Sequence, residues 1–347
     1  MIKDAIEKLT NKENLSFEEM KEIFNDIFDH KISSSQTASF LTALKMKGET
    51  AQEIYGAATI VRERAMKLSV KETFMGIEAL GEQIIDTCGT GGSGVNKFNI
   101  STAVSFIVAA CGVKVAKHGN RAMSSACGSA DVLEELGIKI DVSPRVMEEA
   151  IKKIGIGFLY APLYHPALLD VAAIRKEIGI RTIFNILGPL CNPASTTHQL
   201  LGVYKKELVE TMAVVLRNLG IRKALVVYGK DLKDEVSLTG ETTAILVDKK
   251  KMKKLCITPS DFGLKKISPK SLEAKNVKTS AKIILDVLDA KSGQAQDIVL
   301  ANASCCFYIL DKVNNFKEGV KLAKDIIDTG KAKDKFLKFK QFISAQK

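Results

Sequence analysis

The 347-residue chain has no run of eighteen apolar residues, which excludes a membrane-spanning helix on length. Its start, MIKDAIEKLT, lacks the long apolar core expected of a secretory leader. No C-x-x-C occurs, and the seven cysteines (88, 111, 127, 191, 256, 305 and 306) are odd in number and fall mostly in apolar runs. That usage excludes a zinc site and a disulfide frame, and points to reduced thiols in a cytoplasmic protein. The four histidines are widely scattered, which argues against a metal cluster built on them. Internal repeats and low-complexity linkers are also missing.

What is present is an ordinary globular balance, 46% apolar and 26% charged. The length predicts two domains, or one large domain with an appendage. A formal charge of +11 suggests an anionic partner, either nucleic acid or a phosphorylated metabolite, and composition does not choose. The lysine run KAKDKFLKFK (331–340) reads as a solvated helix face.

Residues 1–70 read as wholly helical, with three capping boxes in order: Ser16 to Glu19, Ser33 to Gln36 and Thr50 to Glu53. The second helix is predicted to bury Phe17, Met20, Ile23, Phe24, Ile27 and Phe28, spaced three and four apart. No strand signal precedes residue 82. Beyond it, short β-rich runs (QIIDTC, VKVAKH, IKI, IGFLYAP, LLGVY, KALVVYG, TAILVD) alternate with helical ones. Ser143-Pro144 opens one helix and Gly155 closes it. Alternation of this kind predicts an α/β fold with a mainly parallel central sheet. The expected organisation is a small N-terminal all-helical domain, 1–70, and a larger α/β domain, 71–347. A later segment, about 164–185, is expected to pack back on the helices.

Four glycines fall within DTCGTGGSGVNKFNIST (86–102), including a G-x-G-x-x-G at Gly89, Gly91 and Gly94. A dinucleotide site wants an acid at the end of the next strand. That strand, VKVAKH, ends in Lys117 and His118. Asn99 comes ten positions after Gly89, which is too long, and the G-K-[ST] of a nucleotide loop is missing. The remaining reading is an anion cradle. Glycines aim backbone N–H groups at a ligand, and Asn99, Ser101 and Thr102 open a helix whose N-terminus favours anions.

Three further stretches carry chemistry. KHGNRAMSSACGSAD (117–131) offers Lys117 and Arg121 to phosphate, with His118, Asn120 and the hydroxyls of Ser124, Ser125 and Ser129. RKEIGIRTIFNILGPLCNPA (175–194) holds Arg175 and Arg181, candidate carboxylate ligands. KDLKDEVSL (230–238) follows a strand and carries adjacent acids, Asp234 and Glu235, suited to magnesium beside phosphates. Together they suit a magnesium-bound, multiply phosphorylated small molecule.

On these motifs the chain resembles the anthranilate phosphoribosyltransferases of tryptophan biosynthesis, from its helical start to about residue 310. GTGGSGVNKFNIST is similar to the family's G-T-G-G-D-G-x-x-x-F-N-I-S-T. KHGNRAMSSACGSAD, GIRTIFNILGPLCNP and KDEVSLTG resemble three more family motifs in order. The resemblance implies a fold of the nucleoside phosphorylase/phosphoribosyltransferase type, with the active site between the domains, and a homodimer joined through the helical domain. It implies transfer of phosphoribose from phosphoribosyl pyrophosphate to the nitrogen of anthranilate, with Mg2+ as cofactor and no nucleic acid or membrane partner.

By the same resemblance, phosphoribosyl pyrophosphate is expected at Gly89, Gly92, Ser93, Lys97, Asn99, Ile100, Ser101 and Thr102. It is also expected at Lys117, His118, Gly119, Asn120, Arg121, Ser124, Ser125 and Ser129. Anthranilate falls to Gly89, His118, Asn120 and Arg175, and metal to Ser101, Asp234 and Glu235. The chain departs from the family wording at Ser93 (commonly Asp), Lys97 (commonly a small hydroxyl residue), Ala126-Cys127 (often Lys-Ser) and Leu232-Lys233 (Gly-Leu). A pyrimidine nucleoside phosphorylase would carry K-x-S-T-G-G-x-G-D-K instead. A silent relative binding nucleic acid through its basic surface would be expected to erode these motifs, which are mostly whole.

Overall fold

The computed structural model describes residues 1–70, 82–122, 127–249 and 251–346, together with the backbone of 73–74 and 77–78. Four helices lead: α1 (Ile2–Thr10), α2 (Phe17–Phe28), α3 (Ser34–Lys47) and α4 (Ala51–Glu63). All three capping boxes form as predicted. Ser16, Ser33 and Thr50 each accept the N–H three residues on, and the partner side chain returns the bond. Phe17 is only half-buried, stacked on Tyr55 with ring centroids 4.5 Å apart, while the other five apolar residues of α2 are buried.

A two-residue antiparallel pair follows, β1 (Thr73–Phe74) with β2 (Ile77–Glu78). It corrects the expectation of no strand before residue 82. The main sheet then alternates with helices: β3 (Ile84–Asp86), α5 (Ile100–Ala110), β4 (Lys114–Gly119), α6 (Ser129–Glu135), α7 (Pro144–Lys153) and β5 (Ile156–Tyr160). Four short helices follow: α8 (Ala161–Tyr164), α9 (Pro166–Asp170), α10 (Ala172–Ile178) and α11 (Phe184–Leu187). Next come β6 (His198–Gly202), α12 (Leu208–Asn218), β7 (Lys223–Gly229), β8 (Thr242–Asp248) and β9 (Lys251–Ile257). Helices α13 (Val277–Leu288), α14 (Gln294–Ile309), α15 (Phe316–Asp328) and α16 (Lys331–Ser344) finish the chain. The run IKI (138–140) is not a strand. Ile138 and Ile140 are buried in the core without pairing to the sheet.

The sheet order is β5-β4-β3-β6-β7-β8-β9, parallel from β5 to β7 and antiparallel for the last two. The chain winds outward from β3 to β4 and β5, then returns to place β6 on the other side of β3. Ligands bind outside the carboxyl ends of strands at such a reversal. Both faces are covered, so β7 and β8 read as unbroken apolar runs. Leu225, Val227, Ala244 and Leu246 join a core shared with α5 and α13–α16. Ala224, Val226, Ile245 and Val247 join a second core, which runs through α12 into helices α1–α4. The bundle therefore shares one continuous core with the second face of the sheet. Phe184 of α11 enters that core against Phe24, centroids 5.5 Å apart.

The late lysine run lies on α16. Ala332, Phe336 and Phe339 face inward, while Lys333 pairs with Asp289 and Lys338 with Asp334. Among the described residues no helix is long and apolar enough to cross a membrane.

Candidate active site

The loop 87–99 leaves β3 at the reversal point. Gly89 bridges to Gly202 of β6, and Thr90 N–H donates to the Gly202 carbonyl at 2.9 Å. Gly91, Gly92 and Gly94 have φ of +61°, +66° and +68°, a left-handed backbone costing other residues roughly 1–2 kcal/mol each. Asn99 caps α5, as expected. Its Oδ1 accepts the Thr102 N–H at 3.1 Å and the Ser101 hydroxyl at 3.2 Å, and its Nδ2 donates to Ser129 at 3.3 Å.

One cavity of about 290 Å³ gathers this loop with the other predicted stretches. Its wall includes Gly89, Gly92, Ser93, Lys97, Asn99, Ser101, Lys117, His118, Gly119, Asn120, Arg121, Ser129, Arg175, Asp234 and Glu235. Ile100 is buried in the core behind it, and Thr102 is buried, its hydroxyl without a partner among the described residues. Ser124, Ser125 and Ala126 lie outside the described residues.

Lys117 is 2% exposed and donates to Ser101 Oγ at 2.9 Å and to the Thr87 carbonyl at 3.3 Å. Burial pushes its ammonium down, and Asp86 opposes the shift. Arg121 sits exposed on the rim, gripped by Glu134 at 2.5 and 2.8 Å and by Asp131 at 3.3 Å. Lys97 pairs with Asp234 at 2.6 Å. Desolvation pushes Glu235 up to about 7, with Asp234 adding to the rise and Lys97 opposing it. Among the described residues no hydrogen bond reaches the Glu235 carboxylate.

The helical side of the wall is apolar, with Val61 from α4, Leu168 from α9, Phe184 and Leu187 from α11, and Pro189 just beyond. Arg175 enters there over the Phe184 ring, 5.3 Å from its centroid. Among the described residues no carboxylate pairs with it, and burial alone pushes it down. Arg181, also expected as a carboxylate ligand, does something else. It donates to the carbonyls of Gly92 (3.2 Å) and Gly91 (3.4 Å) and lies 4.0 Å over Tyr204. The guanidinium therefore holds the glycine loop closed, which corrects the sequence reading.

His118 Nδ1 donates to the Gly188 carbonyl at 2.9 Å, since that oxygen only accepts, leaving Nε2 unprotonated. Burial, with His165 adding, pushes His118 down to about 3, so the ring is neutral at physiological pH. It stands edge-on to His165, centroids 5.1 Å apart.

The sequence reading missed the support beneath the site. Asp86, fully buried, accepts from the His118 N–H (3.2 Å), Asn192 Nδ2 (2.8 Å) and Cys88 Sγ (3.0 Å). Asn192 also donates to the Ala116 carbonyl at 2.8 Å. Asp86 thus ties β3, β4 and the Gly-Pro-Leu-Cys-Asn turn together. The one available signal was an acid at the strand end just before the glycines.

Residues 81–333 match the glycosyl transferase family a/b domain, and residues 3–65 its helical bundle domain. An anthranilate phosphoribosyltransferase from Geobacter sp. (strain M21) is 49% identical over 337 residues, 96% of each chain. The chain belongs to the anthranilate phosphoribosyltransferase family. Its activity is that of the family, phosphoribosyl transfer to anthranilate in tryptophan biosynthesis. The crystal structure of the family member from Thermus thermophilus superposes with a TM-score of 0.89 at 36% identity, covering 99% of this chain and 100% of that one. The Saccharomyces cerevisiae family member, in complex with PRPP and Mg, gives 0.88 at 28% identity, covering 99% and 98%.

Proposed function

We propose that this cavity carries out the transfer, moving the phosphoribosyl group of 5-phosphoribosyl 1-pyrophosphate to the amino group of anthranilate and releasing pyrophosphate. The observation that carries the reading is the cavity with two unlike ends. A glycine loop, a helix N-terminus and two acids lie at one end. An apolar slot with an acid-free guanidinium lies at the other.

Phosphoribosyl pyrophosphate lies along the loop end. Backbone N–H groups of the glycine loop, apart from that of Thr90, which stays on the Gly202 carbonyl, receive its oxygens with the polar groups of Asn99, Ser101 and Ser129, and Thr102 lies buried behind them. Lys117 adds positive charge from below. Arg121 stays with Glu134 on the rim and adds positive charge near the phosphates. Anthranilate lies in the apolar slot against the His118 ring, beside Gly89 and Asn120. Its carboxylate takes the bidentate face of Arg175.

The metal reading fits the donors present. Asp234, Glu235 and Ser101 offer only oxygens, which a hard cation prefers. Among the described residues no group of three or more His, Cys, Asp or Glu gathers, so the remaining ligands would be phosphate oxygens and water. Magnesium, when bound, neutralises charge developing on the pyrophosphate. The residues do the rest. The slot holds the neutral aromatic amine, already a nucleophile, facing the ribose carbon. The C1–N bond forms as the C1–O bond to pyrophosphate breaks, and the proton the amine loses passes to water. Helix and loop dipoles stabilise the departing charge.

A homodimer joined through the helical bundle goes with this reading, and Met46 on α3 is 83% exposed there. The seven cysteines are free thiols, which suits a reducing cytoplasm. The test is anthranilate fluorescence on mixing protein, phosphoribosyl pyrophosphate and magnesium, each omitted in turn. Decay requiring all three supports the reading. A folded protein that binds phosphoribosyl pyrophosphate without decay would give the acceptor site to another amine.

A further inference from the structure

The acidic pair already holds a cation of the protein's own. Lys97 Nζ donates to Asp234 Oδ1 at 2.6 Å and to the Leu232 carbonyl at 3.0 Å, and lies 3.4 Å from Ser93 Oγ. Three oxygens from two loops thus surround one ammonium. The pair is well enclosed, with Lys97 9% and Asp234 12% exposed at the side chain. Gly89 lies close to the other carboxylate oxygen of Asp234. A β-carbon on Gly89 would come within 3.3 Å of Asp234 Oδ2. An ammonium is a compact point charge, and here it sits in an all-oxygen setting of the kind a metal ion takes. Glu235, next in sequence, has no such partner among the described residues.

We propose that Lys97 is a resident cation at Asp234, filling the space of one divalent ion. The complex with phosphoribosyl pyrophosphate is then metallated through Glu235 and takes one ion fewer than it would without the ammonium. The proposal rests on the reading of this acidic pair as the metal site and narrows it: Asp234 keeps the ammonium, and Glu235 with Ser101 is left for the ion. Its physical basis is exclusion. A second cation on the same carboxylate meets a positive charge within hydrogen-bond distance, and like charges so close disfavour each other strongly.

The test counts Mn2+ bound to the full chain with saturating phosphoribosyl pyrophosphate, using the electron paramagnetic resonance signal of free Mn2+. Wild type is compared with Lys97→Ala, with Lys97→Met, which keeps the side chain's length, with Asp234→Asn and with the Lys97→Ala/Asp234→Asn pair. Circular dichroism melts check that each is folded. Lys97→Ala and Lys97→Met are expected to bind one more ion per chain than wild type. Asp234→Asn alone leaves the wild-type count unchanged, and the paired substitution removes the ion gained. Equal counts in wild type and both Lys97 variants overturn the proposal, as does loss of an ion in Asp234→Asn alone. Equal counts with magnesium-dependent anthranilate turnover overturn only the role of Lys97. No turnover and no Mn2+ uptake in any variant overturns the functional reading as well.

Discussion

The two ends of the cavity treat charge differently. At the loop end the cations are already engaged: Lys97 with Asp234, Arg121 with Glu134 and Asp131, and Lys117 with Ser101 above Asp86. At the slot end Arg175 has only an aromatic face and no acid among the described residues. A guanidinium half-buried without an anion is costly unless a ligand supplies one. Where the protein supplies both signs, a ligand meets cations that already have internal partners, and the wall can tune how many metal ions enter. Where it supplies one sign, the ligand brings the other, and recognition is by charge and shape together.

Substitutions break this contrast to different degrees. The largest effect is expected for Glu235→Gln, which removes the acid left open at the loop end. Turnover should fall by about a thousandfold, near the scale of metal-assisted charge stabilisation, read from initial rates at saturating substrates. Gly92→Ala is expected to have a smaller effect. A β-carbon there would lie 1.4 Å from Arg181 Nη1 on a backbone at φ +66°. Arg181 can swing away, but the backbone strain stays, so KM for phosphoribosyl pyrophosphate should rise about tenfold with KM for anthranilate nearly unchanged.

A pH series sharpens the contrast through stability. Burial holds His118 at about 3 and His165 at about 4, both below the ordinary 6.5. Such groups take up protons in the unfolded chain first, so their contribution is complete above 6.5 and is lost as pH falls. Between pH 7 and 5 the loss is on the order of 2 kcal/mol per histidine. Glu235, raised to about 7, works in the opposite sense over the same range, so the check is the difference between proteins: the urea midpoint of His165→Gln should lose less, or gain more, than that of wild type between pH 7 and 5. The smallest effect is expected for Arg121→Ala, about twofold in KM for phosphoribosyl pyrophosphate, because exposed pairs contribute little. A tenfold loss would mean that Arg121 leaves Glu134 to hold phosphate.

Local chemistry was the legible part. Ser16, Ser33, Thr50, Asn99 and Ser143 were identified as caps because a cap is a contact within three residues. The glycine loop was legible because three of its residues need a left-handed backbone. Contacts between distant segments were not. Asp86 and Asn192 meet across 106 residues, and nothing at either position announces the other. Arg181 and Arg175 look alike in sequence, and only the fold gives one the loop carbonyls and the other the open slot. IKI had strand composition but no strand beside it, and burial alone is a weak guide to pairing. The lysines of β9 hid an edge strand, where exposed charge guards the free side.

The central claim, that Arg175 is kept free of internal acids to read the acceptor's carboxylate, is tested most directly by kinetics of Arg175→Ala with both substrates varied. The account predicts a rise of about a hundredfold in KM for anthranilate, the size of a lost charge-assisted pair, with KM for phosphoribosyl pyrophosphate within about twofold of wild type. An unchanged KM for anthranilate, or an equal loss for both substrates, would contradict it.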